Sequence, residues 1–334
     1  MVQTALAEAY SVLMITLLKR LVFMVPLLLI ISFLAFALLH LAPGGPFDKD
    51  RKPASPEIER NLRARFHLDE PVTKQYLRYL GIGWEHNERG ERVWFQGGLI
   101  RGDLGPSMIY RAHSINDILK QGLPVSLTLG LLAFLFAMGT GIPLGFYTAV
   151  KRGQWGDYAG SFLALLSFCI PGFVIGPLLV MSLAIHWQWF PVGLWESPLH
   201  AVLPSVALGL YFAGRVSRLV REGMTTVLKE PFIVTARAKG LPEHTVLLKH
   251  AFRVAVLPLV SYSGPMLADL LTGSFVVENI FCLPGIGVFL TNGSLNRDYT
   301  MVVGLVLLYA ALLLVLNLLV DLSYSLLDRR VKHE

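Results

Sequence analysis

Residues 21–41 read LVFMVPLLLIISFLAFALLHL, 21 positions without an Asp, Glu, Lys or Arg. As an α-helix such a run covers about 30 Å, the thickness of a bilayer's hydrocarbon core. It is too long for the apolar part of a signal peptide, and Ala42-Pro43-Gly44-Gly45 follows without a small-x-small cleavage site. The run therefore reads as a retained membrane anchor. Five more follow: Val125–Val150, Tyr158–Ile185, Leu199 to about Leu219, Val254–Val277 and Met301–Leu327. The fourth is short and holds Pro204, so it must borrow length from Gly214-Arg215-Val216, tilt, or thin the bilayer. Composition agrees. Of 334 residues 54% are hydrophobic and 16% charged, against about 25% charged in soluble domains, and mean hydropathy is +0.57. The fold class expected is an all-α polytopic membrane protein with six transmembrane helices.

A net charge of +6 raises the question of nucleic acid, but the basic residues sit at the ends of the apolar runs and form no face interleaved with aromatics. They follow the positive-inside rule for short connections instead. Fifteen Lys and Arg, among them Lys19, Arg20, Lys151, Arg152, Arg329 and Arg330, gather on one side, against Arg297 alone in the short connections of the other. Both termini are then expected in the cytoplasm. The segments are a cytoplasmic stretch 1–20, the first span 21–41, an outer loop domain 42–120, a bundle 121–328 with an inner connection at 222–253, and a cytoplasmic tail 329–334.

Within the outer segment, Ser55-Pro56-Glu57 supplies an N-cap, a first-turn proline and an early acid ahead of Ile58, Leu62 and Phe66. A short helix is expected there. Glu70-Pro71 opens a second through Tyr76, Leu77 and Leu80, and Trp84 with Val93-Trp94-Phe95 flanks a polar turn, as a hairpin does. The 13 basic and 11 acidic residues of 42–120 are intermixed, which reads as a solvated surface.

Signatures of catalysis are missing. No Lys follows a Gly, so there is no phosphate-cradling loop, there is no Gly-x-Ser-x-Gly, and His-Glu occurs only as His333-Glu334. No two histidines stand four apart, and Cys169 and Cys282 read as ordinary small apolar residues. A chain with no catalytic, cofactor or metal site of its own is expected. What stands out is the inner connection. Met224, Val227, Leu228, Phe232 and Ala236 fall at three- and four-residue steps, giving one apolar stripe beside a basic one. Gly240-Leu241-Pro242 then breaks the helix and Pro242-Glu243 restarts it toward Val246, Leu247 and His250. Such an amphipathic pair lies on a membrane surface or fits a partner's groove.

Thr235-Ala236-Arg237-Ala238-Lys239-Gly240-Leu241-Pro242, followed by Leu257-Pro258, resembles the cytoplasmic coupling motif of ATP-binding-cassette importer permeases, in the form of the dipeptide and oligopeptide branch. Leu41-Ala42-Pro43-Gly44-Gly45-Pro46-Phe47, Gly102-Asp103-Leu104-Gly105-Pro106-Ser107, Leu283-Pro284-Gly285-Ile286-Gly287 and Asn296-Arg297-Asp298-Tyr299 resemble that branch too, so the similarity runs from about Met14 to Arg330. The long outer loop resembles the first of the branch's two permease types. The general motif's Glu, six residues before the Gly, is replaced by Val234, and Thr235 stands where the first of its two Ala is found.

The resemblance implies a type I importer permease fold in a bacterial inner membrane, with half of a pore for peptides. It implies a homologous second permease, two cytoplasmic ATPase subunits that carry the ATP and Mg, and an extracytoplasmic binding protein. Arg215, Arg218 and Arg221, at three-residue steps, are expected to snorkel to the inner headgroups, with contact to the ATPase or to an inter-span carboxylate as the other reading. Asp269, in the middle of span five, is expected with Ser263 and Thr272 along a polar path, because a buried acid costs about 2.5–3.5 kcal/mol at a helix centre. An interhelical hydrogen bond is its alternative role. The rival function is a carrier or channel driven by an ion gradient, with Asp269 and Glu278 as its ion sites.

Overall fold

Backbone amides have no water to bond in a bilayer, so an apolar run there must close its hydrogen bonds within a helix. The computed structural model describes residues 2–41, 56–86, 90–95, 97–110, 113–271 and 275–327, and it is mostly helical. Among the described residues four helical stretches are long and apolar enough to cross a membrane, and two bent pairs bring the number to six.

The long helices are α1 (Val2–Leu41), α4 (Ile115–Val150), α7 (Val202–Val227) and α14 (Tyr299–Leu327), and between α1 and α4 lie α2 (Pro56–Arg65), α3 (Val72–Leu80) and the strands β1 (Trp84–His86) and β2 (Arg92–Trp94). The chain forms two compact units, one of 1–123 with 288–311 and the other of 124–287 with 312–334.

In the first unit Phe36, Tyr79, Leu80, Val303 and Leu307 form the core. Tyr76 binds α3 to α1 through its hydroxyl, 2.7 Å from Ser32 Oγ, and through edge-on contact with Phe33. β1 and β2 pair antiparallel with Trp84 opposite Trp94. Arg78 knits helix to hairpin: it reaches Glu70 at 3.1 Å and Glu85 at 2.9 Å, and lies 4.4 Å from the centre of the Phe95 ring. Burial works to raise the Glu70 carboxyl, but the Lys74 hydrogen bond and the Arg78 charge outweigh it and hold the group below the usual carboxylate range. The charges around α3 and the hairpin are thus partly organised into ion pairs.

The second unit holds the larger core, with Leu129 and Ala133 of α4 and Leu203, Val216, Val220 and Met224 of α7. Here the structure departs from the expected spans. The third is bent by 102° between α5 (Trp155–Cys169) and the pair formed by α6 (Gly172–Leu179) with a π-helical stretch Val180–His186. Pro171 has no N–H to donate and pushes Ile170 into extended backbone, φ −84° and ψ 119°. α4 starts at Ile115, ahead of the expected Val125. A reciprocal cap explains this, since Asp117 N donates to Ser114 Oγ at 3.1 Å and Ser114 N to Asp117 Oδ2 at 3.3 Å. α7 continues past the expected end near Leu219 to Val227.

α4 and α7 approach closely through Gly141 and Gly145. A Cβ at Gly141 would stand 2.6 Å from the Ala213 carbonyl oxygen, and one at Gly145 nearer still to that of Ser217. Gly141 and Gly145 therefore serve packing directly, whereas nothing lies within 4 Å of a Cβ at Gly139.

Candidate functional site

After α7 the chain turns at 228–230 into α8 (Pro231–Ala238), then through Lys239 and Gly240 into α9 (Glu243–Thr245), a π-helical stretch Val246–Ala251 and α10 (Phe252–Ala255). The apolar stripe expected over Met224–Ala236 is therefore split. Pro231 forces Glu230 to φ −69° and ψ 145°, which ends α7 and rotates the next helix. Met224 and Val227 stay buried on α7, Phe232 is exposed, and Ile233 with Ala236 packs against Val246 in the core.

The break at Gly240 has the form of a Schellman cap. Its φ is +74°, Gly240 N donates to Arg237 O at 2.9 Å, and Leu241 N donates to Ala236 O at 3.4 Å. Arg237 and Glu243 close the elbow from the far side at 2.7 Å and 3.1 Å. The Arg237 hydrogen bond holds the Glu243 carboxyl below its ordinary range. Val234, Thr235, Arg237, Ala238, Lys239, Leu241, Pro242 and Leu248 are all exposed, so the bend presents apolar and basic groups together.

The three arginines of α7 do not act alike. Steps of three drift by about 60° each on a helix of 3.6 residues per turn, so Arg215 and Arg221 point about 120° apart. Arg221 grips Asp157 of α5 at 2.8 and 2.9 Å, and Asp157 also accepts from Gly153 N and Ser161 Oγ. Arg218 pairs loosely with Glu222 at 3.8 Å, and the Arg215 guanidinium lies 5.0 Å from the centre of the Tyr262 ring on α11 (Leu257–Leu271). Asp269 is exposed on the same helix, on the stripe of Pro258, Tyr262 and Pro265. Ser263 is turned about 120° from Asp269 and donates to Val260 O at 2.6 Å, so the structure does not bring these two together. Thr272 lies outside the described residues, as do Ala42–Phe47. Among the described residues no three of the His, Cys, Asp and Glu side chains are grouped to hold a metal ion.

Residues 141–333 match the family of binding-protein-dependent transport system inner membrane components. The chain belongs to that family. It is 37% identical over 317 residues to the oligopeptide transport system permease protein OppB of Haemophilus influenzae, covering 94% of this chain and 98% of that one. It is 38% identical to the dipeptide transport system permease protein DppB of Bacillus subtilis, over 94% of this chain and 96% of that one. Escherichia coli strain K12 OppB is 39% identical, with 95% and 98% covered. An inward-facing structure of the MetNI methionine ABC transporter shares the fold, at TM-score 0.53 and 19% identity, over 64% of this chain and 97% of that chain. This permease is therefore a multi-pass inner-membrane subunit of a transport system of the ABC importer type.

Two motifs of the permease are explained by buried carboxylates that the sequence did not single out as structural. Glu278, on α12 (Phe275–Ile280), is fully buried. Its Oε1 accepts from Ser126 Oγ at 2.7 Å and its Oε2 from Gly287 N at 2.9 Å, while Ile286 N donates to Ser126 Oγ. Any Cβ at Gly285 would stand 2.6 Å from Glu278 Oε1, so Leu283-Pro284-Gly285-Ile286-Gly287 folds around that carboxylate. Glu278 thus holds a turn in place and is not displayed to a water path. In the first unit Asp298 is equally buried and caps α14 through Met301 N at 3.1 Å, while Ser107 Oγ and Met108 N donate to its other oxygen. Gly102–Ser107 and Asn296–Tyr299 are two halves of one clamp. The cap was legible as Asp before an apolar run, but its second partner lies 191 residues away.

Proposed function

We infer that this permease forms half of the pore of an ATP-driven importer of short peptides and is coupled to partner ATPases through Thr235–Pro242. The observation that carries this reading is the elbow, a short helix ended by a positive-φ glycine with apolar and basic side chains on its outer surface. Its buried side, Ile233, Ala236 and Val246, ties the same bend to the core that also holds α7. A push on the exposed side therefore reaches the spans as rigid-body motion. For such a push to drive transport, the ATPase must contact the two pore states with different free energies. Peptide as cargo is supported by 37–39% identity to oligopeptide and dipeptide permeases over nearly the whole chain. In this scheme both termini and the elbow are cytoplasmic, a second permease completes the pore, ATP and Mg stay on the ATPases, and a binding protein docks outside on residues 42–120 and 281–300.

The test is Gly240→Val in the assembled transporter. A β-branched residue at φ +74° is strained by about 1–2 kcal/mol or more, although no atom lies within 4 Å of the added Cβ. Assembly is expected to persist while peptide uptake and transport-linked ATP hydrolysis fall together. Parental rates of both overturn the coupling role. An ion-driven carrier predicts instead that the purified chain alone accumulates solute in liposomes and stops when a protonophore is added.

A further inference from the structure

A helix face that its own chain leaves uncovered inside a membrane meets lipid, a partner helix or water, and its chemistry tells which. Within their apolar runs α1, α5 and α6 expose apolar side chains, as at Phe33, Leu163, Leu166 and Phe173, whereas α7 and α11 expose polar ones, as at Arg218 and Ser261. The start of α5 is different again. Trp155, Tyr158, Phe162 and Leu165 are exposed along one stripe at steps of three, four and three, so indole, phenol, phenyl and isobutyl groups succeed one another over about 15 Å of helix. Amphipathic rings followed by purely apolar groups are the order met on passing from headgroups into acyl chains. Just ahead of Trp155 stand Lys151 and Arg152, both exposed. Among the described residues neither side chain has an ion pair or a hydrogen bond.

The corner that carries these two cations is fixed. Lys151 N donates to Tyr147 O at 3.0 Å and Gln154 N to Lys151 O at 2.9 Å, with Gly153 at φ +76°. Gly153 N donates to Asp157 Oδ2, the oxygen that also accepts from Arg221 of α7, so the loop is braced by the carboxylate that joins α5 to α7. Asp157 is thereby engaged within the chain, and Arg221 balances its charge. Gln154 gives α5 no side-chain cap, and the Tyr147 hydroxyl lies beside Gly156, 2.6 Å from where a Cβ would stand. The polar groups exposed around this corner include an ammonium, a guanidinium, an indole N–H and two phenols, all able to donate. We propose that Lys151 and Arg152, with the start of α5, hold the phosphate headgroup of an anionic phospholipid of the inner leaflet, whose acyl chains lie along Phe162 and Leu165. The inner leaflet follows from the orientation proposed above for the termini and the elbow. A soluble acidic partner would meet the two cations but not the apolar stripe that continues from them; a lipid matches both.

The test uses the complete transporter in nanodiscs, with Cys169 and Cys282 replaced by Ser and Gln154→Cys as reporter, labelled by an uncharged, membrane-impermeant maleimide and read on this subunit. Phosphatidylglycerol mixed into phosphatidylcholine is expected to slow the labelling about fivefold or more, and inorganic phosphate added to phosphatidylcholine nanodiscs is expected to leave it unchanged. With Lys151→Gln and Arg152→Gln together, the share of phosphatidylglycerol needed for half of that slowing should rise about tenfold. Lys151→Arg with Arg152→Lys should keep the parental response. Slow labelling in phosphatidylcholine alone that phosphatidylglycerol does not change means that the companion subunit or an ATPase covers the corner, and overturns the site. Equal slowing with and without the two cations is an effect of bilayer charge and overturns it as well, while equal slowing by inorganic phosphate overturns the lipid as occupant. In spheroplasts the same maleimide added from outside should not reach Gln154→Cys. Labelling from outside overturns the orientation and the inner leaflet, a failure distinct from loss of the phosphatidylglycerol response.

Discussion

Glu278 is an acidic residue in a place with no exposed surface, and its neighbours show what that requires. Removing it strands the Ser126 hydroxyl and the Gly287 amide, and a buried unpaired polar group costs about 1–3 kcal/mol. Glu278→Ala is therefore expected to lower the thermal unfolding midpoint of the solubilised transporter clearly. Glu278→Gln, which keeps an acceptor for one of the two donors, should lower it less. Gly285→Ala tests the same turn from the other side, since its methyl meets the carboxylate; it should destabilise about as much as Glu278→Ala, and a neutral result would refute the clamp. At Gly240 the constraint is backbone and not space. Gly240→Asn, which tolerates the left-handed region, should keep most of the coupled ATP hydrolysis that Gly240→Val loses.

At the scale of elements, the junction of α5 with α7 is the part most exposed to a single change. Asp157 is nearly enclosed, and Arg221 supplies two of its hydrogen bonds. Arg221→Ala leaves that carboxylate with only Gly153 N and Ser161 Oγ among the partners described, which should cost on the order of 1–3 kcal/mol. The exchange Asp157→Arg with Arg221→Asp should recover part of the loss in a thermal melt. No recovery would mean that packing, not the ion pair, joins the helices. The split of the Met224–Ala236 stripe belongs here as well. Its periodicity is real in the sequence, but Pro231 sets the backbone of Glu230 and restarts the count. A proline rule outranks a hydrophobic pattern when the two meet, because the missing N–H and the ring clash act at once.

For the whole molecule, the chemistry of the uncovered faces makes a labelling prediction. With Cys169 and Cys282 replaced by Ser, cysteines at Pro265 and Arg218 should react with a hydrophilic maleimide in the membrane-embedded transporter. Cysteines at Phe33 and Leu163 should not. Equal reactivity at all four positions would remove the distinction between lipid-facing and water-facing helices. Membrane class, the hairpin at Trp84 and Trp94, and the glycine bend were all readable as sequence, because run length, alternation and a required positive φ act within a dozen neighbouring residues. Bends were less so: Ile170-Pro171-Gly172 marks where the third span breaks, but the angle of 102° depends on what the two halves pack against. Pairings lay furthest from view. Ser126 meets Glu278 across 152 positions, Asp157 meets Arg221 across 64, and Arg215 meets Tyr262 across 47. At such separations no local preference selects one polar partner from many; the helix crossings that bury some side chains and leave others uncovered make the choice.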